Sequence, residues 1–234
     1  MHHGHQPELS RQKTTSGSRS PNSRSLASKS RDESTWIVSY RRDDGPTEFV
    51  TYDKPTGTIE KLFVSQPSLL PYKFARMEDV RIAARDGLEL VAYLTRADDA
   101  KPTPLVLLVH GGPWARDFWG FNGAAQWLAN RGYAVLQVNY RGSSGYSKSF
   151  LHKGDKQWGV GDMQHDLSDA VQWAIDSGIA LADKVCIYGG SYGGYACLAG
   201  LTFTPELYSC GVDIVGPSNI KVRGLTSPAV AASC

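Results

Sequence analysis

The stretch that decides the fold is Val185-Cys-Ile-Tyr-Gly-Gly-Ser-Tyr-Gly-Gly-Tyr-Ala-Cys197. An apolar run ends in two glycines. One serine follows, and two more glycines lead into a second apolar run. Residues 189–193 have the form G-x-S-x-G, which suits a tight turn from a buried strand into a helix. Flanking residues without bulk let strand and helix approach, so the turn lifts Ser191 Oγ clear of the sheet. The N–H of Tyr192, at the start of the following helix, then points into the same space and suits donation to an oxyanion. The competing reading is a serine N-cap in a glycine-rich turn.

Working outward, the context is a series of strands and helices. Residues 105–109 (Leu-Val-Leu-Leu-Val) form a short, wholly apolar run, as expected of a strand covered on both faces. A short helix is expected at 123–131, a strand at 133–139, a strand at 184–188, a helix at 192–201 and a strand at 210–215. Met163, Leu167, Ala170, Val171, Ala174 and Ile175 recur at steps of three and four, so 162–177 is an amphipathic helix stopped by Gly178. A hairpin at 80–84 and 88–94, turning at Asp86-Gly87, precedes the series. This alternation predicts an α/β fold around a mostly parallel sheet.

Two further glycine-rich loops follow strands of that sheet. His110-Gly-Gly-Pro113 comes after 105–109, where a hydrolase of this kind places its second oxyanion donor. The Gly112 amide is the candidate, because a substrate carbonyl must come close to the backbone there. His110 reads as a side chain that packs this loop through hydrogen bonds, not as a base. Asn139-Tyr-Arg-Gly-Ser-Ser-Gly-Tyr146 borders the same cleft, with Arg141 bracing the loop.

Four segments together resemble the prolyl oligopeptidase family of serine peptidases, in its acylaminoacyl-peptidase and dipeptidyl-peptidase branches. They are HGGPWARD (110–117), NYRGSSGYSKSF (139–150), GDMQHDLSDAVQWA (161–174) and YGGSYGGYA (188–196). The likeness runs from about 36 to 221. It implies an α/β-hydrolase domain behind a β-propeller, and 35–64 then resemble the last blade. It implies Ser191 as nucleophile, Tyr192 and Gly112 as backbone oxyanion donors, and acyl transfer through an acyl-enzyme on a peptide or acylated-peptide substrate. No cofactor and no metal are implied. An esterase on the same fold and a non-catalytic binding pseudoenzyme are the other readings.

The resemblance also raises a difficulty. In this fold the triad runs in the order Ser, Asp, His. The six histidines stand at 2, 3, 5, 110, 152 and 165, so none follows Ser191. Only Glu206 and Asp213 follow as acids, and Asp213 falls inside the next strand. The triad Asp and His are therefore expected to be missing from this chain, which reads as a C-terminally truncated domain, inactive by itself. Its sheet would end at 210–215 with an uncovered apolar edge, a route to self-association.

The expected organisation is a disordered Ser/Arg-rich tail (1–31), a β-blade remnant and linker (32–71), the N-terminal part of the hydrolase domain (72–221) and a non-family tail (222–234). Residues 1–31 hold eight serines, six Lys/Arg and one acid, Glu8, with almost nothing to bury. The remaining residues carry 19 basic and 22 acidic groups, so no basic surface for nucleic acid is implied. Three strands, 36–40, 48–52 and 59–64, separated by turn signals, make a blade-sized sheet. Cys186 and Cys197 read as small core residues, and the four cysteines show neither zinc spacing nor a disulfide framework. No apolar run spans a membrane, and no secretory signal is visible. The cytoplasm is the expected compartment, with organelle targeting by the N-terminal tail as the alternative.

Overall fold

The computed structural model describes residues 23–97 and 101–219 of the chain. They form two sheets. The smaller has four antiparallel strands in chain order: β1 (Ser23–Lys29), β2 (Thr35–Arg41), β3 (Glu48–Asp53) and β4 (Ile59–Val64). The three expected strands are present, and a fourth joins them. Residues 23–29, expected to lie in the disordered tail, are β1, paired antiparallel with β2 from Ser23↔Arg41 to Lys29↔Trp36. The correction has a simple cause. All seven β1 residues are exposed, so the strand is held by backbone hydrogen bonds that composition does not record. Residues 1–22, and the whole of the expected non-family tail 222–234, lie outside the described residues.

The larger sheet has six strands in the order β10-β9-β7-β8-β6-β5. Its members are β5 (Met77–Ala83), β6 (Glu89–Thr95), β7 (Thr103–Val109), β8 (Ala134–Asn139), β9 (Ala180–Gly190) and β10 (Cys210–Ile214). The run β10-β9-β7-β8 is parallel, while β6 and β5 are antiparallel additions at the other end. Leu105, Leu107, Val109, Leu136 and Val138 are buried, as a doubly covered centre requires.

Four helices cover the sheet: α1 (Gly123–Ala129), α2 (Lys148–His152), α3 (Asp162–Asp176) and α4 (Tyr192–Phe203). Met163, Leu167, Ala170, Val171 and Ala174 form the buried stripe of α3, and Gly178 ends it at φ +68°. The short α2 has no counterpart in the sequence reading. Ser147 caps it, accepting from Phe150 N at 2.9 Å. Among the described strands β10 pairs only with β9, and its five residues are exposed.

The small sheet is docked on the large one through Gln126 and Asp43. Gln126 Nε2 donates to Asp43 O (3.1 Å) and Ala75 O (2.7 Å), and its Oε1 accepts from Ala75 N (3.0 Å). Asp43 Oδ2 accepts from Met77 N at 2.9 Å. The buried Gln126 amide holds the seam with both of its own ends bonded.

Candidate active site

Ser191 is the single residue between β9 and α4. Its backbone lies at φ 55°, ψ −118°, a region L-residues occupy only under constraint. The constraint is visible on both sides: Ser191 N donates to Ile214 O (2.9 Å), and Tyr195 N donates to Ser191 O (3.1 Å). Ser191 occupies the N-cap position, yet its hydroxyl caps nothing. The residue is exposed and its Oγ has no hydrogen-bond partner among the described residues.

The glycines around it divide into two kinds. A Cβ on Gly189 would collide with the Gly193 carbonyl, and one on Gly193 would collide with the Val109 carbonyl. Gly190 is different: its nearest neighbour would be Ile214 O, at 3.8 Å. The first and last positions of G-x-S-x-G are thus steric necessities, set by packing of α4 against β9 and β7, and the intervening Gly190 is not.

The 110–112 loop lies against this turn. A Cβ on Gly111 would stand 3.1 Å from Gly190 O, 3.4 Å from Ser191 Cβ and 3.9 Å from Tyr192 N. Gly112 is exposed at φ +118°, and a side chain there would press on Trp114 N (2.7 Å) and Ala115 N (2.8 Å). Its amide has no acceptor among the described residues. Tyr192 opens α4, so its N–H belongs to the first turn, where no intrahelical partner exists. Its ring is buried, with Oη 3.7 Å from Met163 Sδ, so Tyr192 offers the site its backbone and not its phenol. Gly111, the residue before Gly112, thus lies against Ser191 and the Tyr192 amide, and neither candidate amide has an acceptor among the described residues.

His110 turns away from this group. Nδ1 faces Gly111 O at 2.8 Å; a carbonyl only accepts, so Nδ1 carries the proton. Nε2 lies 2.9 Å from Ser143 Oγ, which is itself 2.7 Å from Tyr140 O. Burial lowers the imidazole to about 4, with Arg116 adding to the effect, so the ring is neutral at ordinary pH. The other described histidines face Asp155 (His152, 2.9 Å) and Asp162 (His165, 3.4 Å).

Arg141 braces the second loop. Its side chain is 4% exposed and reaches Asp166 (2.7 Å), Asp162 (2.9 Å) and Asp86 (3.0 Å). It has no free face for a substrate carboxylate. The sequence reading did not find these three carboxylates, nor the grip of Gln137 and Asn139 on Asp117. A signal existed for the second: two amides interrupt an otherwise apolar strand buried along its whole length.

Cys197 is buried against β9, whereas Cys186 is only half-buried and Cys210 is exposed. Among the described residues no cluster of three His, Cys, Asp or Glu could hold a metal, and no helix is long and apolar enough to cross a membrane.

The chain is similar to known proteins. Residues 119–227 match the model of the prolyl oligopeptidase family, so the matched stretch includes 222–227, which the sequence reading assigned to a non-family tail. Dipeptidyl aminopeptidase BIII of Pseudoxanthomonas mexicana is 51% identical over 217 residues, covering 89% of this chain and 31% of that protein. Dipeptidyl peptidase family member 6 of Caenorhabditis elegans is 39% identical over 221 residues, covering 85% and 30%. Among solved structures, a puromycin-hydrolyzing peptidase of Mycobacterium tuberculosis superimposes with a TM-score of 0.71 at 29% identity, over 81% of this chain and 30% of that one. The chain spans under a third of the length of the relatives it matches.

Proposed function

The chain belongs to the prolyl oligopeptidase family, with an α/β-hydrolase sheet, and from that premise we propose that it carries the nucleophilic part of a serine peptidase site. Ser191 Oγ is the nucleophile, and the Tyr192 and Gly112 amides are the oxyanion donors. Oγ attacks the carbonyl carbon of a peptide or acylated peptide. The oxyanion forms against the two amides, the hydroxyl proton passes by way of a base outside the described residues to the leaving amine, and water releases the acyl group from Ser191. The observation that supports this reading is the constrained, uncapped and exposed Ser191, with the loop of Gly111 and Gly112 packed against its turn.

The proton acceptor is not among the described residues. Each described histidine is engaged elsewhere, and no described residue accepts from Ser191 Oγ. Members of a catalytic triad act as a unit, so the 234-residue polypeptide by itself should give only residual turnover. That same observation favours a second reading for this chain alone: binding of acyl compounds at the cleft without hydrolysis. The exposed edge of β10 is the face through which we expect copies to associate.

A fluorophosphonate probe tests the assignment. We expect slow covalent labelling, as of a serine without its base, located at Ser191 by peptide mass mapping and abolished in Ser191→Ala. Labelling at another residue removes the assignment. Folded protein that stays unlabelled supports the binding reading. Labelling without release of product from dipeptidyl or acylaminoacyl chromogenic substrates is the outcome expected of a nucleophile lacking its base.

A further inference from the structure

Strand β8 reads Ala134-Val-Leu-Gln-Val-Asn139 and is buried throughout. Gln137 and Asn139 are two residues apart, so their side chains leave the same face of the strand. Both take hold of Asp117, at the end of the loop that carries Gly112. Asn139 holds the backbone: its Oδ1 accepts from Asp117 N at 2.7 Å and its Nδ2 donates to Asp117 O at 3.3 Å. Gln137 holds the side chain: its Nε2 donates to Asp117 Oδ1 at 2.8 Å.

The other two atoms of that pair are Asp117 Oδ2 and Gln137 Oε1. Both are sealed from solvent and neither meets a donor among the described residues. They belong to planar groups already joined by one hydrogen bond. If Asp117 were a carboxylate, both atoms would be acceptors only, and two buried acceptors without donors cost several kcal/mol (about 1–3 each). One proton removes both deficits, because a carboxylic acid and a primary amide close a ring of two hydrogen bonds.

We propose that Asp117 is a positioning residue that works as a carboxylic acid: its Oδ2–H donates to Gln137 Oε1 and, with Asn139 on the backbone, latches the 110–118 loop to β8 while the proton is in place. Losing the proton puts a negative charge beside a buried acceptor and opens half of the ring. The loop that presents the Gly112 amide then keeps the Asn139 bonds and the Gln137 Nε2 donation but loses the second bond of the ring. The groups acting electrostatically on the carboxyl are Arg116, a cation that favours ionisation, and Tyr140 at the end of β8, whose phenol burial keeps neutral. Burial pushes the Asp117 carboxyl up to about 6, against the Gln137 N–H and Arg116. The consequence for catalysis rests on the role proposed for Gly112; the proton assignment stands without it.

The test uses the 234-residue protein with carbon-13 in its aspartate carboxyls. We expect one aspartate to titrate at or above about pH 6 and to disappear from the spectrum of Asp117→Asn. That variant is a neutral isostere. Its Nδ2 can donate to Gln137 Oε1 while its Oδ1 still accepts from Nε2, so it keeps the ring and cannot ionise. Between about pH 4 and 7 it should gain on the wild type by up to roughly a hundred-fold in the folding equilibrium, whereas Asp117→Leu should lose at every pH. If Asp117→Asn does not fold, proximity of the titrating carboxyl to the Gln137 amide protons makes the assignment. All aspartates titrating below about pH 5, or a wild-type-to-Asn difference that does not change with pH, would overturn the latch. Failure of probe labelling at Ser191 alongside an elevated titration would remove the catalytic consequence and leave the latch standing.

Discussion

Tyr140 Oη donates to His110 O across 2.9 Å, and the two rings stack 4.4 Å apart at 11°. The end of β8 thus grips the start of the 110–112 loop by backbone and by ring. With Gln137 and Asn139 on Asp117, the loop is fastened at both ends to one strand. That arrangement makes β8 the element whose integrity sets where the Gly112 amide stands.

The pH dependence of stability should show two opposed contributions. His110 is lowered from 6.5 to about 4, so the unfolded chain binds more protons between those values; its contribution is present above 6.5 and is lost as pH falls towards 4. Asp117 is raised from 3.8 to about 6, so the folded protein binds more protons there, and stability falls as pH rises through that window. The wild-type profile between 4 and 6 should therefore be shallow. In Asp117→Asn the histidine slope should emerge, up to about 3 kcal/mol, as read from urea midpoints at several pH values. A flat profile in that variant would show that the His110 ring is protonated in the fold.

Gly193→Ala should be poorly tolerated and Gly190→Ala well tolerated. The first methyl would collide with the Val109 carbonyl, backbone that cannot rotate away; the second meets nothing closer than 3.8 Å. We expect a loss of about 1–3 kcal/mol or more for Gly193→Ala and under about 1 kcal/mol for Gly190→Ala, by chemical denaturation. Equal costs would contradict the steric division of the motif.

Ser191→Gly should abolish probe labelling and raise stability. Glycine reaches φ 55°, ψ −118° without the Cβ penalty, against its own larger chain entropy. The net gain should be up to about 1 kcal/mol, in a denaturant titration beside Ser191→Ala, which keeps the strain. A less stable glycine variant would mean that the turn stores none.

Asp166→Ala should cost about 3–5 kcal/mol, because Arg141 is left buried without its closest partner. Asp86→Ala and Asp162→Ala remove partners that are about half exposed, and each should cost far less. Thermal unfolding of the three variants ranks them. A uniform small effect would reduce Arg141 to an ordinary surface cation.

Val212→Lys should reduce association of the chain with itself. Val212 is 46% exposed on β10, whose outer edge is unpaired among the described strands, and a charged side chain discourages edge pairing. Sedimentation over a concentration series reads the effect. Unchanged association would move the interface away from this edge.

What could be read from the chain follows from where the forces lie. The serine turn was legible because packing leaves no room for side chains at Gly189 and Gly193, and a necessity of that kind is written in residue type. The α3 stripe was legible because its burial repeats with the helical period. Strand β1 was not, since pairing with β2 uses backbone groups that every residue carries. The three carboxylates around Arg141 and the fastening of Asp117 were not, since partners 20 to 55 residues apart meet only once the sheet has formed. Gln137 and Asn139 showed that partners were needed without showing which.

The narrow gap between Gly111 and the serine turn has one more consequence. A Cβ on Gly111 would stand 3.1 Å from Gly190 O and 3.4 Å from Ser191 Cβ, so a side chain there would press on the serine turn. In the proposed site the oxygen of an attacked electrophile turns towards the Gly112 and Tyr192 amides on this flank, so its approach to the hydroxyl is chiral. Mirror-image forms of a stereogenic phosphorus reagent should react with this serine at unequal speeds.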